Sequence, residues 1–155
     1  NDEEIPDLPA LVMMCKDAKK GKDGDLFLFY DEHGNEQDVK AYHVNEYIQD
    51  ISGEKFTAKD FRTWGGTKLA AKSIAEFRKK DDKKQRKKNV TIMIKEVSIK
   101  LGNTPAVCRG SYIHPRFLTD YMRGSFFRLW KETLGEQMYP LTENESHVIR
   151  YLENS

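Results

Sequence analysis

Cysteine and long apolar runs are the scarcest features of this 155-residue sequence. The two cysteines, Cys15 and Cys108, show no metal-binding spacing, and two are too few for a disulfide framework. We interpret both as free thiols in a reducing compartment, and we predict no metal site. No apolar run reaches the roughly 18 residues that a membrane helix requires, so no membrane association is expected. Internal repeats are also lacking, and the length suits one domain, with or without appendages.

Charge is distributed unevenly along the chain, although the net charge is only +1. Residues 55–123 contain 18 of the 26 Lys and Arg residues but only 6 of the 25 Asp and Glu residues. This segregation predicts a basic face that binds a polyanion, most simply nucleic acid. The alternative is an ordinary solvated basic helix. For the most basic stretch, RKKDDKKQRKK at 78–88, a solvated helix end or loop is favoured over a specific contact.

Turn and capping signals predict a mainly α-helical chain with a small β element near its start. The apolar run before the turn signal His33-Gly34-Asn35 is consistent with a strand or an extended loop. Apolar periodicity, capping residues and stop glycines predict helices within 8–15, 41–52, 57–77, 89–101, 105–112, 116–122, 125–135 and 142–153. In the fourth of these, Asn89 is the expected cap, and the expected buried residues are Val90, Met93, Ile94, Val97 and Leu101.

Two segments carry a more specific pattern. VNEYIQDISGEKFTAKDFRTW, at 44–64, surrounds Arg62, and LGNTPAVCRGSY, at 101–112, ends on Tyr112, nine residues after Asn103. These segments resemble the approach to the catalytic arginine and the nucleophile segment of type IB DNA topoisomerases, in particular the small bacterial and poxvirus-like enzymes. The similarity extends from about Leu26 to Pro115.

The resemblance implies a DNA breaking-rejoining catalytic domain, the fold that these enzymes share with tyrosine recombinases. Residues 1–124 are then the C-terminal part of that domain, and residues 125–155 form a helical tail that packs on it. The implied activity is relaxation of supercoiled double-stranded DNA by a monomer. It needs neither ATP nor a metal, because one transesterification replaces another. The implied location is the cytoplasm, at the nucleoid.

The resemblance also implies roles for individual residues. Tyr112 is the implied nucleophile, which becomes linked to the 3′-phosphate while a 5′-hydroxyl leaves. Arg62 is expected to hold the non-bridging oxygens of the phosphate with its planar fork of donors. Asn103 stands where many members carry His and is expected to donate a hydrogen bond to one of those oxygens, but an amide cannot act as a general acid. Lys59 falls where the recombinases have the His of their H-x-x-R motif, and is expected to be a supporting residue.

Other interpretations stay open at this point. Arg62, next to Trp64, could be a surface or cation–π arginine, and Asn103 could cap the helix after Thr104. Arg109, Lys68 and Lys72 are candidate DNA contacts, with solvent exposure as the alternative. A tyrosine recombinase is the nearest rival function, although Lys59 and Asn103 both replace residues that are usually His there. A non-catalytic DNA-binding module of the same fold is the second rival.

Two parts of the family's active site are not recognised in this sequence. The family uses a lysine on a β-hairpin as general acid toward the leaving 5′-oxygen, and another arginine upstream of that lysine. The lysines in CKDAKKGKDG, at 15–24, do not lie in a convincing hairpin of that type. We therefore expect the chain to be a C-terminal piece of a longer enzyme that lacks the N-terminal domain. Alone, it is expected to be inactive or very weakly active.

Overall fold

The computed structural model describes residues 28–30, 33–77 and 82–154. The helix expected at residues 8–15 lies outside this part of the chain, as does Cys15. The chain divides into two compact units, Asn1–Ala58 and Lys59–Ser155. The described residues are mainly α-helical with a small β element, which confirms the predicted class. Among them, no helix combines the length and apolar character needed to cross a bilayer.

In the first unit, a short hairpin precedes one helix. Strand β1 (Leu28–Tyr30) pairs antiparallel with β2 (Glu36–Asp38), so of the two alternatives, a strand or an extended loop, the strand forms. Gly34, in the turn, has a φ of 78°, which glycine adopts without a steric penalty. Helix α1 (Ala41–Ser52) ends where predicted, since Gly53 adopts the left-handed conformation with a φ of 66°.

The described residues that follow form six helices and a π-helical segment. They are α2 (Ala58–Ala75), α3 (Lys83–Leu101), α4 (Pro105–Val107), the π segment (Cys108–Tyr112), α5 (Pro115–Arg123), α6 (Phe126–Glu132) and α7 (Glu143–Glu153). Three predicted terminal signals are confirmed. Gly102 and Gly124 end α3 and α5 in the left-handed conformation, and Thr142 with Glu145 forms the capping box of α7.

Helix α3 begins six residues earlier than predicted. Asp82 is its cap, with Oδ1 accepting from the Gln85 backbone N–H at 2.7 Å, so the expectation that Asn89 caps the helix is wrong. Asn89 is instead buried inside the helix and donates to the Tyr121 hydroxyl at 2.7 Å. The basic residues from Lys83 onward are helical, since a solvated face accommodates charge. The predicted apolar stripe is buried except for Leu101, which is half-buried.

The core of the second unit is formed by apolar side chains from α2, α3, the π segment and the three helices that follow. Its members are Ala70, Ala71, Ile74, Val90, Met93, Ile94, Val97, Cys108, Ile113, Phe117, Tyr121, Phe126, Val148 and Tyr151. Phe117 stacks on Tyr151 with ring centroids 4.8 Å apart, and Phe126 stacks on Trp130 at 5.3 Å. This aromatic cluster anchors α6 and α7 to α5.

Polar bonds join the C-terminal residues to the same core. Tyr151 donates its hydroxyl proton to Asp120 Oδ2 at 2.8 Å, and burial together with this carboxylate raises the pKa of the phenol. Arg116 donates to the carbonyl oxygens of Leu152 and Asn154, at 3.1 and 2.6 Å. Residues after position 124 therefore pack on the unit. The division into domains at that position stays a prediction.

Candidate active site

Arg62 is held at the end of a neighbouring helix. It lies on the second turn of α2, as predicted, and is half-buried. Its Nη2 donates to the carbonyl oxygen of Leu101, the last residue of α3, at 2.5 Å. The final carbonyls of a helix lack intrahelical partners and carry partial negative charge, so a guanidinium is favoured there.

Asn103 uses the same acceptor. Its Nδ2 donates to the Leu101 carbonyl oxygen at 3.0 Å, because the left-handed Gly102 turns the chain back toward the helix end. The next helix is capped by Thr104, whose Oγ1 accepts from the Val107 backbone N–H at 3.3 Å. The alternative that Asn103 caps this helix is therefore wrong. Its side chain is instead placed beside Arg62.

Tyr112 completes this cluster. It ends the π segment and is half-buried, and the Arg62 guanidinium carbon lies 5.1 Å from its ring centroid. Arg62 thus stacks on Tyr112 rather than on Trp64, which contacts Lys68 Nζ at 5.6 Å from its ring centroid. The three residues that the sequence selected from two distant segments are brought together at one helix end.

Helix α2 touches the backbone of the π segment closely. A Cβ added to Gly66 would lie 2.3 Å from the Tyr112 carbonyl oxygen, closer than van der Waals contact allows. Thr67 is buried and accepts from the His114 backbone N–H at 3.1 Å, and Thr63 Oγ1 lies 3.2 Å from the Ser111 carbonyl oxygen. Sequence reasoning missed these residues. The signal available was the Gly65-Gly66 pair inside a helix, where glycine weakens the helix unless close packing requires it.

Cys108, at the start of the π segment, is a core residue. It is fully buried, and burial raises the pKa of its thiol, while the nearby Arg62 charge acts in the opposite direction. A buried thiol of raised pKa is a poor nucleophile. Cys108 therefore packs in the core, and Tyr112 stays the predicted nucleophile of this cluster.

The remaining candidates lie around the cluster. Lys59, on the first turn of α2, is exposed, as are Lys72 on the same helix and Arg109 on the π segment. Lys68 is half-buried and forms an ion pair with Glu145 of α7, with Nζ and Oε1 2.5 Å apart. The supporting role of Lys59 and the DNA contacts of the other three stay predictions.

The Glu145 carboxylate accepts hydrogen bonds from several donors. Lys68, then the backbone N–H and hydroxyl of Thr142, lower the pKa of its carboxyl to about 2. One carboxylate thus completes the capping box of α7 and ties that helix to α2. The link connects the C-terminal helix to the helix that bears Arg62.

Two further observations bear on the predicted chemistry. Within residues 28–30, 33–77 and 82–154, no three His, Cys, Asp or Glu side chains cluster in a way that could hold a metal ion. The β1–β2 hairpin contains no lysine between Leu28 and Asp38, so it does not supply a lysine general acid.

The cluster is suited to phosphoryl transfer. A guanidinium and an amide, both fixed by one carbonyl, present N–H donors next to a phenol. Donors fixed where negative charge develops contribute the largest share of many rate enhancements. A tyrosine, with an ordinary pKa of about 10, requires such a positive environment to attack at neutral pH.

Comparison with known proteins agrees with this geometry. Residues 6–124 match the family model described as eukaryotic DNA topoisomerase I, catalytic core. The chain is 35% identical over 99 residues to DNA topoisomerase 1B of Acanthamoeba polyphaga mimivirus, a match covering 59% of this chain. It spans only 30% of the length of that curated relative. All seven predicted site residues lie inside the matched region, and the chain belongs to the family of the eukaryotic DNA topoisomerase I catalytic core.

Proposed function

We propose that this chain provides the nucleophile and the phosphate-binding donors of a type IB DNA topoisomerase. Tyr112 Oη gives up its proton to solvent and attacks the scissile phosphorus of duplex DNA, and the bond to the 5′-oxygen breaks. The products are a 3′-phosphotyrosyl bond and a free 5′-hydroxyl, which later attacks the phosphotyrosine and restores the strand. Rotation of the DNA between the two steps relaxes supercoils. Because each step exchanges one phosphoester for another, neither ATP nor a metal is consumed.

The convergence of Arg62, Asn103 and Tyr112 at the C-terminal end of α3 carries this proposal. The guanidinium is 5.1 Å from the Tyr112 ring centroid, and the Asn103 amide shares its carbonyl acceptor. A phosphate next to the phenol then lies within reach of both side chains. Donation to the developing charge on its non-bridging oxygens lowers the barrier.

The leaving 5′-oxygen needs a proton from another group. Asn103 is a neutral donor and cannot supply it, and the hairpin of the first unit has no lysine. We assign this proton to a lysine elsewhere in a longer polypeptide. This assignment is supported by the comparison with the viral relative, because the chain spans only 30% of the length of that protein. In that complete form the enzyme acts as a monomer with an N-terminal DNA-binding domain.

Trapping of a covalent DNA adduct tests the function. The full-length protein is mixed with a nicked duplex labelled on the 5′ side of the scissile bond, whose 5′-hydroxyl fragment dissociates after cleavage. We expect transfer of the label to protein in EDTA without ATP, and no transfer for Tyr112→Phe. Tyr139→Phe is the matched control, because this tyrosine is 94% exposed and distant in sequence from the cluster.

A tyrosine recombinase forms the same 3′-phosphotyrosyl bond and would pass the adduct assay, so a plasmid-relaxation assay separates that rival function. A tyrosine recombinase requires paired specific sites, whereas a topoisomerase relaxes plasmid without a second site. A non-catalytic DNA-binding module predicts equal behaviour of wild type and Tyr112→Phe. A requirement for paired specific sites would overturn the proposal. Equal behaviour of wild type and Tyr112→Phe in the adduct assay would also overturn it.

We further propose that the protein acts on chromosomal DNA in the cytoplasm of a bacterium. The proposal draws on its DNA substrate and on the small bacterial enzymes that its motifs resemble. Imaging of a fluorescent fusion tests it, since the signal is expected to coincide with the nucleoid. A uniform signal or one at the envelope would contradict it.

A further inference from the structure

We propose that the Thr63–Gly66–Thr67 face of α2 is a positioning surface, which fixes the π segment and thereby aims the Tyr112 phenol at the phosphate. This inference rests on the proposed function of Tyr112. It assigns to α2 a second role besides carrying Arg62. The helix that binds the phosphate also sets the position of the nucleophile.

Gly66 provides the closest contact of this surface. A Cβ at this position would lie 2.3 Å from the Tyr112 carbonyl oxygen and 3.1 Å from its carbonyl carbon. Both atoms belong to the backbone, so they cannot be moved by a side-chain rotation. A methyl group here displaces the residue that bears the nucleophile. The neighbouring Gly65 differs, because its added Cβ meets no atom within 4 Å.

Two threonines hold the segment on either side of this contact. Thr67 Oγ1 accepts from the His114 backbone N–H at 3.1 Å, two residues after Tyr112. Thr63 Oγ1 lies 3.2 Å from the Ser111 carbonyl oxygen, one residue before it, and also 2.9 Å from the Lys59 carbonyl oxygen. The backbone on both sides of the nucleophile is thus fixed to one helix.

The π conformation explains why such support is needed. A π-helical turn is rare, because it is less favourable than the α-helical arrangement, and it is frequently found at functional sites. Unfavourable local conformations persist only where surrounding contacts impose them. The contacts of α2 at Ser111, Tyr112 and His114 are of this kind. Arg62 lies on the same helix, four residues before Gly66. The distance and orientation between the proposed phosphate ligand and the nucleophile are therefore fixed.

The Gly65 and Gly66 pair gives a matched test. We compare Gly66→Ala with Gly65→Ala in the full-length protein, and measure the single-turnover rate constant of DNA cleavage at saturating protein. A misplacement of the nucleophile by about 1 Å predicts a loss of roughly 10²-fold for Gly66→Ala. Gly65→Ala is expected to stay within about twofold of wild type. The Kd for DNA is expected to be unchanged for Gly66→Ala, because Gly66 is buried and cannot contact DNA.

Thr67 supplies a second test that does not depend on the folding of Gly66→Ala. Thr67→Val keeps the shape but removes the acceptor of the His114 N–H, and Thr67→Ser restores an oxygen. We expect slower cleavage for the valine variant and recovery for the serine variant, with the melting temperature recorded for both. If Thr67 has only a structural role, the cleavage rate will change in parallel with the melting temperature. It will then not depend on whether residue 67 has a hydroxyl oxygen.

The outcomes separate the two proposals. If wild type forms no adduct, the proposed function fails and the positioning role fails with it. If wild type forms the adduct, three results would overturn the positioning role alone. These are equal cleavage rates for the two glycine variants, no difference between Thr67→Val and Thr67→Ser, and losses that appear only in DNA affinity.

Discussion

One backbone oxygen organises the chemistry at the scale of single residues. The Leu101 carbonyl accepts hydrogen bonds from Arg62 and Asn103, which come from segments 39 and two residues away. A guanidinium has five N–H groups, so it can satisfy this carbonyl and still donate to a phosphate. Under the proposed function, the carbonyl preorganises both donors before DNA binds, which reduces the reorganisation required during the reaction.

This arrangement predicts that Arg62→Lys is not a conservative substitution. An ammonium group is a point charge without the planar fork, so it cannot serve the Leu101 carbonyl and two phosphate oxygens together. We expect the cleavage rate constant to fall by roughly 10²–10³-fold. Single-turnover cleavage at saturating protein measures this effect. Arg128→Lys is the control, because Arg128 is 65% exposed on α6, pairs with Glu132 and is not a predicted DNA contact; an equal loss in both variants would contradict the prediction.

The sequence pointed to the three residues that cluster at the end of α3, but not to the α2 residues that pack on the π segment. Tyr112, Arg62 and Asn103 could be selected because the segments around them resemble the arginine and nucleophile segments of type IB topoisomerases. Gly66 and Thr67 could not be found in this way. Their role depends on contacts with backbone atoms about 46 residues away in sequence. A pair of glycines in a sequence does not show which of the two packs closely, or which part of the chain it packs against.

At the scale of helices, local sequence signals predicted where the helices end better than which helical conformation they adopt. Gly53, Gly102 and Gly124 end their helices because each adopts a left-handed φ, which is a local property of glycine. The start of α3 was missed because its cap, Asp82, lies in a run dominated by lysine and arginine. The π segment was expected to be an ordinary short helix. Its conformation depends on α2, and no local pattern encodes that contact.

The link between α2 and α7 predicts a pH dependence of stability. The pKa of Glu145 is lowered to about 2, first by Lys68 and then by Thr142. Since the unfolded value is roughly 4.3, the stabilisation is complete above that pH and is lost as the pH falls toward 2. Glu145→Gln keeps a capping-box residue but lacks the charge. We expect wild type to lose more stability than this variant between about pH 5 and pH 2 in denaturant unfolding.

Glu132→Gln is the matched control for this measurement. Glu132 pairs with Arg128 across one helical turn, but the two side chains are 48% and 65% exposed. Exposed pairs contribute little to stability. The control is therefore expected to keep the acid sensitivity of wild type. Equal acid sensitivity of Glu145→Gln and wild type would contradict a stabilising role for the Lys68–Glu145 pair.

At the scale of the whole molecule, the segment beyond the family match is part of the core. Phe126, Val148 and Tyr151 are fully buried although the match ends at residue 124. We expect truncation after Gly124 to abolish cooperative thermal unfolding, because Phe117 and Tyr121 lose their aromatic partners. Circular dichroism and binding of a hydrophobic dye measure this loss. A truncated chain that melts cooperatively would instead support a domain boundary at residue 124.

The 155-residue chain alone is a further test at this scale. It carries the proposed nucleophile and the two proposed phosphate donors, whereas the proposed general acid lies in another segment. We expect weak DNA binding and very slow cleavage by the isolated chain. Plasmid relaxation measures the activity, and robust relaxation by this chain alone would refute the assignment of the general acid elsewhere.

The π segment makes the number of residues before Tyr112 as important as their identity. A π turn holds more residues than an α turn, so deleting one residue, for example the exposed Gly110, permits a regular α-helix. The contacts of α2 with Ser111, Tyr112 and His114 fit the π conformation, so an α-helical segment would no longer match them and the phenol would lose its fixed place beside Arg62. Under the proposed function, such a shortened protein gains helical hydrogen bonds and loses its cleavage activity. For this family member, insertions and deletions between Thr104 and Tyr112 are therefore expected to be tolerated less well than many substitutions there.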